Sequence, residues 1–143
     1  EWHKPKSYEL NSGLLSDDEL LEIVKVDGDN IKYIDNPIEE VQLAAVEDSY
    51  YSIRFIIDKG IKPSEEVQLA AVTQYPNVIE LINNPTEKVQ LVAVEINPYA
   101  IEYIENPSEE VQMVAVTKRP YLYRYIKNPT DKVKMFMGYY DNN

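Results

Sequence analysis

The stretch Val67-Gln68-Leu69-Ala70-Ala71-Val72 decides the reading of this chain, because it returns nearly unchanged along the sequence. It recurs as Val41-Gln42-Leu43-Ala44-Ala45-Val46, as Val89-Gln90-Leu91-Val92-Ala93-Val94 and as Val111-Gln112-Met113-Val114-Ala115-Val116, then loosens to Val133-Lys134-Met135-Phe136-Met137. The leading valines fall at 41, 67, 89, 111 and 133, so three intervals are 22 residues and the first is 26. The excess matches Lys59-Gly60-Ile61-Lys62, just before Pro63. A fixed period of this length marks stacked supersecondary units. Carried backwards, the frame sets Ser16 on the Ser64 position, Leu21 on Leu69 and Val24 on Val72, so an atypical first unit starts near Ser16.

Each unit carries two helix-start signals. The first is Asn-Pro-x-acid, as in Asn84-Pro85-Thr86-Glu87, Asn106-Pro107-Ser108-Glu109 and Asn128-Pro129-Thr130-Asp131. It is expected to place asparagine at the cap, proline at the first helical position and the acid where it closes a capping box. The second signal is Pro76, Pro98 or Pro120, one short loop later. A unit of this length accommodates a first helix of about three turns and a second of about two. No segment alternates with period two, so no strands are expected. The expected architecture is all-α: an α-solenoid of about five 22-residue helix pairs plus a closing C-terminal helix, with units starting near 16, 38, 64, 86, 108 and 130. Residues 1–15 read as a weakly ordered arm, and residues 16–143 as one repeat domain.

Around the first helix, at about 100° per residue, the apolar arc covers most of the circumference, which demands partners on several sides. The second helix is amphipathic. Val78, Ile79, Leu81 and Ile82 share one side, and Asn77, Glu80 and Asn83 the other. The column Gln42, Gln68, Gln90 and Gln112 lies inside the apolar arc, where each amide is expected to satisfy backbone groups of a neighbouring helix end or loop. The equivalent positions Tyr33, Phe55, Leu81, Tyr103 and Tyr125 read as core, because aromatic and leucine interchange there.

Positions that packing does not dictate are free to differ between units, and the outer face of the second helix does differ. It reads Asp29, Lys32, Asp35; then Tyr51, Arg54, Ile57; then Asn77, Glu80, Asn83; then Tyr99, Glu102, Glu105; then Tyr121, Arg124, Lys127. Exposed tyrosine and arginine combine large contact area with a hydrogen-bonding tip. The candidate partner-binding residues are therefore Tyr51, Arg54, Tyr99, Glu102, Glu105, Tyr121, Arg124 and Lys127.

The chain has 143 residues with 25 acidic and 14 basic groups, a net charge of −11, and 44% hydrophobic content, too apolar for a wholly disordered chain. Charge is uneven: net −7 over residues 1–62, −8 over 63–113 and +4 over 114–143. Such a field attracts cationic partners and repels nucleic-acid phosphates over most of the surface. Direct nucleic-acid binding is thus not expected, and the basic tip allows at most a weak head-to-tail association of an otherwise monomeric chain. There is no cysteine and one histidine, His3, ahead of the repeats, which leaves no Cys-His pair, Ser-His-acid triad or ordinary zinc site. Asp27-Gly28-Asp29-Asn30 lacks the spacing of a calcium loop, and Gly28 there reads as a turn. Four glycines in all leave no phosphate-cradling loop, so no cofactor, metal or catalytic residue is expected. No apolar run approaches the roughly 20 residues of a membrane span, and a cytoplasmic protein is expected.

The consensus Asn-Pro-Ser-Glu-Glu-Val-Gln-Leu-Ala-Ala-Val followed by Asn-Pro-Tyr-Ala-Ile-Glu-Tyr-Ile resembles the short α-hairpin repeats found in tandem in bacterial, phage and giant-virus proteins of largely unassigned function. The resemblance covers roughly residues 16–137 and implies architecture, with no catalytic residue to carry over. Departures are Gly28, Tyr50 at the second proline position, the 59–62 insertion and the Met135-Phe136-Met137 ending. Three functions remain in view: a noncatalytic protein-interaction module, an acidic inhibitor of the kind a phage encodes that occupies the nucleic-acid channel of a host enzyme, and structural spacer repeats of a longer chain.

Overall fold

A computed structural model describes residue 10 and residues 13–142. The expected arm, residues 1–15, lies outside the described residues except for Leu10 and residues 13–15, and Trp2 and His3 lie outside them entirely. The described residues form α1 (Asp17–Val26), η1 (Gly28–Tyr33), α2 (Glu39–Asp48), α3 (Ser52–Asp58), α4 (Glu65–Gln74), η2 (Pro76–Leu81), α5 (Glu87–Ile96), η3 (Pro98–Tyr103), α6 (Glu109–Lys118), η4 (Pro120–Tyr125) and α7 (Asp131–Asp141), where η denotes a 3-10 helix. No strand occurs among the described residues, and the helix pairs pack consecutively, as in an all-α solenoid.

The chain divides into two compact units, one ending at Ala71 and the other starting at Val72, within α4. In the first unit α1 packs on α2, η1 packs on both, and α3 packs on α2 and η1. In the second, α5, α6 and α7 form one row of neighbours and η2, η3 and η4 another, each 3-10 helix also lying against a long helix. The valine and alanine positions of the repeat make the core. Val41, Val67, Val89, Val111 and Val133 are wholly buried, as are Ala45, Ala71, Ala93 and Ala115. The opposite side of the first helices is less covered than the sequence implies: Leu43, Leu69, Leu91 and Met113 are only half-buried. The Val-Gln and Ala-Val pairs thus carry the packing, and the Leu-Ala pair between them lies at the rim.

The helix starts differ from the expectation in an instructive way. The cap is not asparagine but the hydroxyl two residues later. Thr86, Ser108 and Thr130 each accept from the backbone N–H three residues on, at 3.3, 3.3 and 3.4 Å. Proline therefore precedes the cap, and Glu87, Glu109 and Asp131 occupy the first helical position, where their charge complements the helix dipole. A full capping box forms at Ser16 and Glu19. A proline keeps the residue before it out of the right-handed helical region, and Asn84 there takes φ +51°, so Asn-Pro ends one element and the hydroxyl starts the next.

The second helices are 3-10 rather than α in four units. Pro76, Pro98 and Pro120 do stand at their starts, as the spacing predicts. Six residues at three per turn give two turns, the short form this helix type takes. The exception is α3, where Tyr50 stands in place of proline and the 59–62 insertion supplies a different ending. Gly60, at φ +78°, follows the helix, Gly60 N–H donates to Ile57 O at 2.8 Å and Ile61 N–H to Ile56 O at 3.3 Å. This left-handed glycine cap lets an α-helix finish where a proline-bounded loop does not.

Gly28 is the first residue of η1 rather than an isolated turn. A Cβ there would stand 2.2 Å from the Ala45 carbonyl oxygen and 3.0 Å from Ser52 Oγ. The Gly28 N–H, which proline would lack, donates to Asp48 Oδ2 at 2.7 Å.

The glutamine column performs a backbone role, but mainly within its own unit. Gln42, Gln68, Gln90 and Gln112 each donate from Nε2 to the carbonyl of the proline five residues earlier, at 2.9, 2.9, 2.9 and 3.0 Å. Gln112 alone of the four is also seen to reach the following loop, donating to Asn128 O at 3.3 Å while its Oε1 accepts from Thr130 N–H at 3.1 Å.

Two stability measurements check these assignments. In urea titrations, Gly28→Ala is expected to cost about 3 kcal/mol, the upper part of the overpacking range, because a backbone carbonyl must yield. Gln112→Met is expected to cost about 1–2 kcal/mol more than Gln42→Met, because two further hydrogen bonds are lost.

Candidate interaction surface

The residues singled out on the outer face are exposed throughout. Tyr51, Tyr99 and Tyr121 are 46%, 45% and 45% accessible, and Arg54, Glu102, Glu105, Arg124 and Lys127 are likewise exposed. They fall into two groups by unit. In the first, Tyr51 meets Phe55 edge to face, with ring centroids 6.0 Å apart and planes at 89°. Arg54 Nε lies 3.2 Å from both carboxylate oxygens of Asp58, one helical turn on. An exposed pair of this kind holds the guanidinium in place and adds only a few tenths of a kcal/mol. Lys32 Nζ stands 5.0 Å above the Tyr33 ring and 5.7 Å from that of Phe55.

In the second unit the structure brings Tyr99 and Tyr121 together. Their rings are 6.0 Å apart at 56°, and their hydroxyls are in contact. The Arg124 guanidinium lies 5.7 Å from the Tyr121 ring and 5.3 Å from the Tyr125 ring, within cation–π range. Tyr99 is held in place by Asn97. Asn97 Oδ1 accepts from Tyr99 N–H at 3.2 Å, and Asn97 Nδ2 donates to Asn77 Oδ1 of the preceding repeat at 3.0 Å. Tyr121 enters η4 after Pro120, whose fixed φ sets the first turn. Lys118, just before, donates from Nζ to Glu95 O at 2.7 Å and ties α6 to the end of α5.

Glu102, Glu105 and Lys127 flank this cluster without joining its ring contacts. Glu105 instead lines a polar cleft of about 460 Å³ between the loop that follows η2 and the loop that follows η3. Glu80, Asn83, Asn84, Gln90 and Tyr103 line it as well. The sequence pattern did not single out this cleft. The aromatic–leucine interchange predicts Tyr103 to be core, yet it is 37% exposed, because the equivalent side chains lie at the rim of the packed face and only partly beneath it. Its equivalents Tyr33, Phe55, Leu81 and Tyr125 are half-buried, which places the whole column at that rim. The Glu80 column reads Lys32, Arg54, Glu80, Glu102, Arg124 and the Asn83 column Asp35, Ile57, Asn83, Glu105, Lys127, and neither carries a signal for the cleft.

Among the described residues, no group of three or more histidine, aspartate or glutamate side chains is placed to hold a metal ion. None of the described helices is long and apolar enough to cross a membrane. Comparison with protein-family models, with curated proteins and with solved structures finds no match to this chain.

The tyrosine pair is open to a double-mutant cycle. Tyr99→Ala and Tyr121→Ala are expected to be coupled by about 0.5 kcal/mol in urea titrations, the low end for aromatic pairs because both rings are half in water, with helix content by circular dichroism unchanged.

Proposed function

We propose that the chain is a noncatalytic, cytoplasmic interaction module that binds a protein partner through the exposed face of its second helices. The observation that carries this reading is the contiguous cluster of Tyr99, Tyr121 and Arg124 on the face where the repeats differ most. Buried positions of the repeat are nearly invariant, so variation concentrated on one exposed face points to recognition rather than folding. Tyrosine and arginine are the side chains that most often dominate interface energetics. Tyr51 and Arg54 offer the same chemistry in the first unit, and Glu102, Glu105 and Lys127 set the charge pattern a partner must match. The net charge of −8 over residues 63–113 favours a basic partner.

The same acidity supports a second reading, an inhibitor that presents carboxylates to the nucleic-acid channel of a basic enzyme. The two differ in salt dependence and in their need for the tyrosines.

The test is capture from nuclease-treated lysate of the source organism by immobilised wild type and by Tyr99→Ala/Tyr121→Ala, at about 0.1 and about 0.5 M salt. One protein retained by wild type at both salts, with affinity reduced about 100-fold or more in the variant, is the expected result. A basic nucleic-acid enzyme held only at low salt, and equally by the variant, would replace the interaction module with the inhibitor.

A further inference from the structure

Two residues before the first outer position of each repeat, the chain reads Asp27, Ser49, Tyr75, Asn97 and Arg119, so packing does not dictate this side chain. Tyr75 and Arg119 head η2 and η4 without a side-chain cap bond. Asn97 differs, because its amide makes two bonds at once. Its backbone is extended, at φ −136° and ψ 102°, and Pro98 follows at the first helical position. Proline has no N–H, so Tyr99 supplies the first one that the cap can take. That N–H donates to Asn97 Oδ1 at 3.2 Å. A backbone N–H only donates, so the amide oxygen must face Tyr99 and the NH2 must face elsewhere. It meets Asn77 Oδ1, on the outer face of the preceding repeat, at 3.0 Å.

These bonds begin a chain of contacts across three layers of the second unit. Asn77 holds Asn97, Asn97 holds the start of η3, the Tyr99 hydroxyl touches that of Tyr121, and the Arg124 guanidinium lies over the Tyr121 and Tyr125 rings. Asn77 and Asn97 are half-buried, whereas Tyr99 and Tyr121 are exposed, so the amide pair is the part sheltered from competing water. Elsewhere the same cap is made without the tie to another layer. Asp27 Oδ1 accepts from Asp29 N–H at 3.0 Å, but an ionised carboxylate has no donor to offer. Tyr51 stands at the N-cap of α3, where no side-chain cap bond forms, and rests on Phe55 of its own helix.

We propose that Asn97 is a positioning residue for recognition: it sets Tyr99, and through Tyr99 the tyrosine pair, in the arrangement that a partner meets. The inference rests on reading the second-helix face as the interface. Fixing the backbone at Tyr99 fixes the direction of its side chain, and the contact with Tyr121 then selects one rotamer. A tyrosine free to change rotamer loses that freedom on binding, and the loss subtracts from affinity. Asn97 removes part of that cost in advance for Tyr99 and Tyr121, and nothing equivalent does so for Tyr51.

The first arm of the experiment needs no partner. In the isotopically labelled full chain, three-bond Hα–Hβ couplings report the Tyr99 χ1 rotamer, and NOEs between the Tyr99 and Tyr121 rings report their contact. Wild type is expected to show one rotamer and strong ring NOEs. Asn97→Ala is expected to average the couplings and to lose most of the NOE intensity, with helix content by circular dichroism unchanged. Asn97→Asp accepts the same N–H, and Asn77 turns its amide to donate to the new carboxylate, so both signatures are expected to return. In the second arm, affinity for the captured partner is expected to fall about threefold to tenfold in Asn97→Ala, the cost of ordering one side chain, and to recover in Asn97→Asp. A Tyr99 already averaged in wild type, couplings and NOEs unmoved by Asn97→Ala, or an equal loss in Asn97→Asp would each overturn the proposal. The two readings fail separately. Capture that ignores Tyr99→Ala/Tyr121→Ala sinks the tyrosine interface, and the recognition role with it, whatever the couplings show; tyrosine-dependent capture with undisturbed couplings sinks the positioning role alone.

Discussion

In four successive repeats a buried glutamine donates from Nε2 to the carbonyl of the proline five residues before it, and the repeat is organised around that bond. Proline ahead of a helix start is useful because it keeps the preceding residue out of the right-handed helical region and ends the previous element, but its carbonyl is left outside the helix with no intrahelical donor. Burying that oxygen beneath the next layer costs free energy unless it is paired. The glutamine amide pairs it from inside the helix, while a serine or threonine hydroxyl accepts from the third helical N–H in the repeats of Gln68, Gln90 and Gln112; Ile38 makes no such cap in the repeat of Gln42. The turn is thus fixed from both sides, and the valines on either side of the glutamine can pack without strain. Where proline is missing the glutamine is missing too: in the first repeat the equivalent positions are Leu15 and Leu20.

The same bond explains why the repeats were legible in one dimension and partly misread in three. Periodicity of the Val-Gln-x-x-Ala-Val string located the long helices and their buried face, since burial is set by residue type at fixed spacing. Cap identity was not legible from the motif alone. Asn, Ser and Thr are all good caps, and only the geometry shows that the hydroxyl two residues beyond asparagine takes the position. The 3-10 form of the second helices was hidden for a related reason: a two-turn segment is too short for period 3.0 and period 3.6 to diverge in its apolar pattern. Gly28 looked like a turn residue because sequence carries no record of close approach, and the demand for glycine comes from a carbonyl on a neighbouring helix.

For the candidate surface, sequence comparison between repeats identified exposed positions correctly, because a face that packing does not constrain is the face that varies. It did not show which of those residues meet. Tyr99 and Tyr121 are 22 residues apart, one repeat, and so stand on adjacent layers with their rings in contact. Tyr51 has no tyrosine one repeat later, where Asn77 stands, and pairs instead with Phe55 on its own helix. A one-period spacing of like residues on an outer face is therefore a contact signal in a stack, and the isolated member of the set is not equivalent to the pair.

The cleft beside Gln90 lies between two loops, and a periodic pattern describes helix faces rather than the space between loops. At the end of the array Lys134 stands where the other repeats have glutamine, and Gln112 donates to Asn128 O and accepts from Thr130 N–H of the last loop. A repeat protein is often treated as a sum of identical layers with nearest-neighbour terms. Here the layer next to the end differs from those inward of it: Gln112 Oε1 is paired with the following loop, whereas Gln90 Oε1 and Gln68 Oε1 are both buried without a partner. The forward tie is thus confined to one layer, and repeats whose sequences are nearly the same differ in their hydrogen bonding only where glutamine is replaced in the next unit.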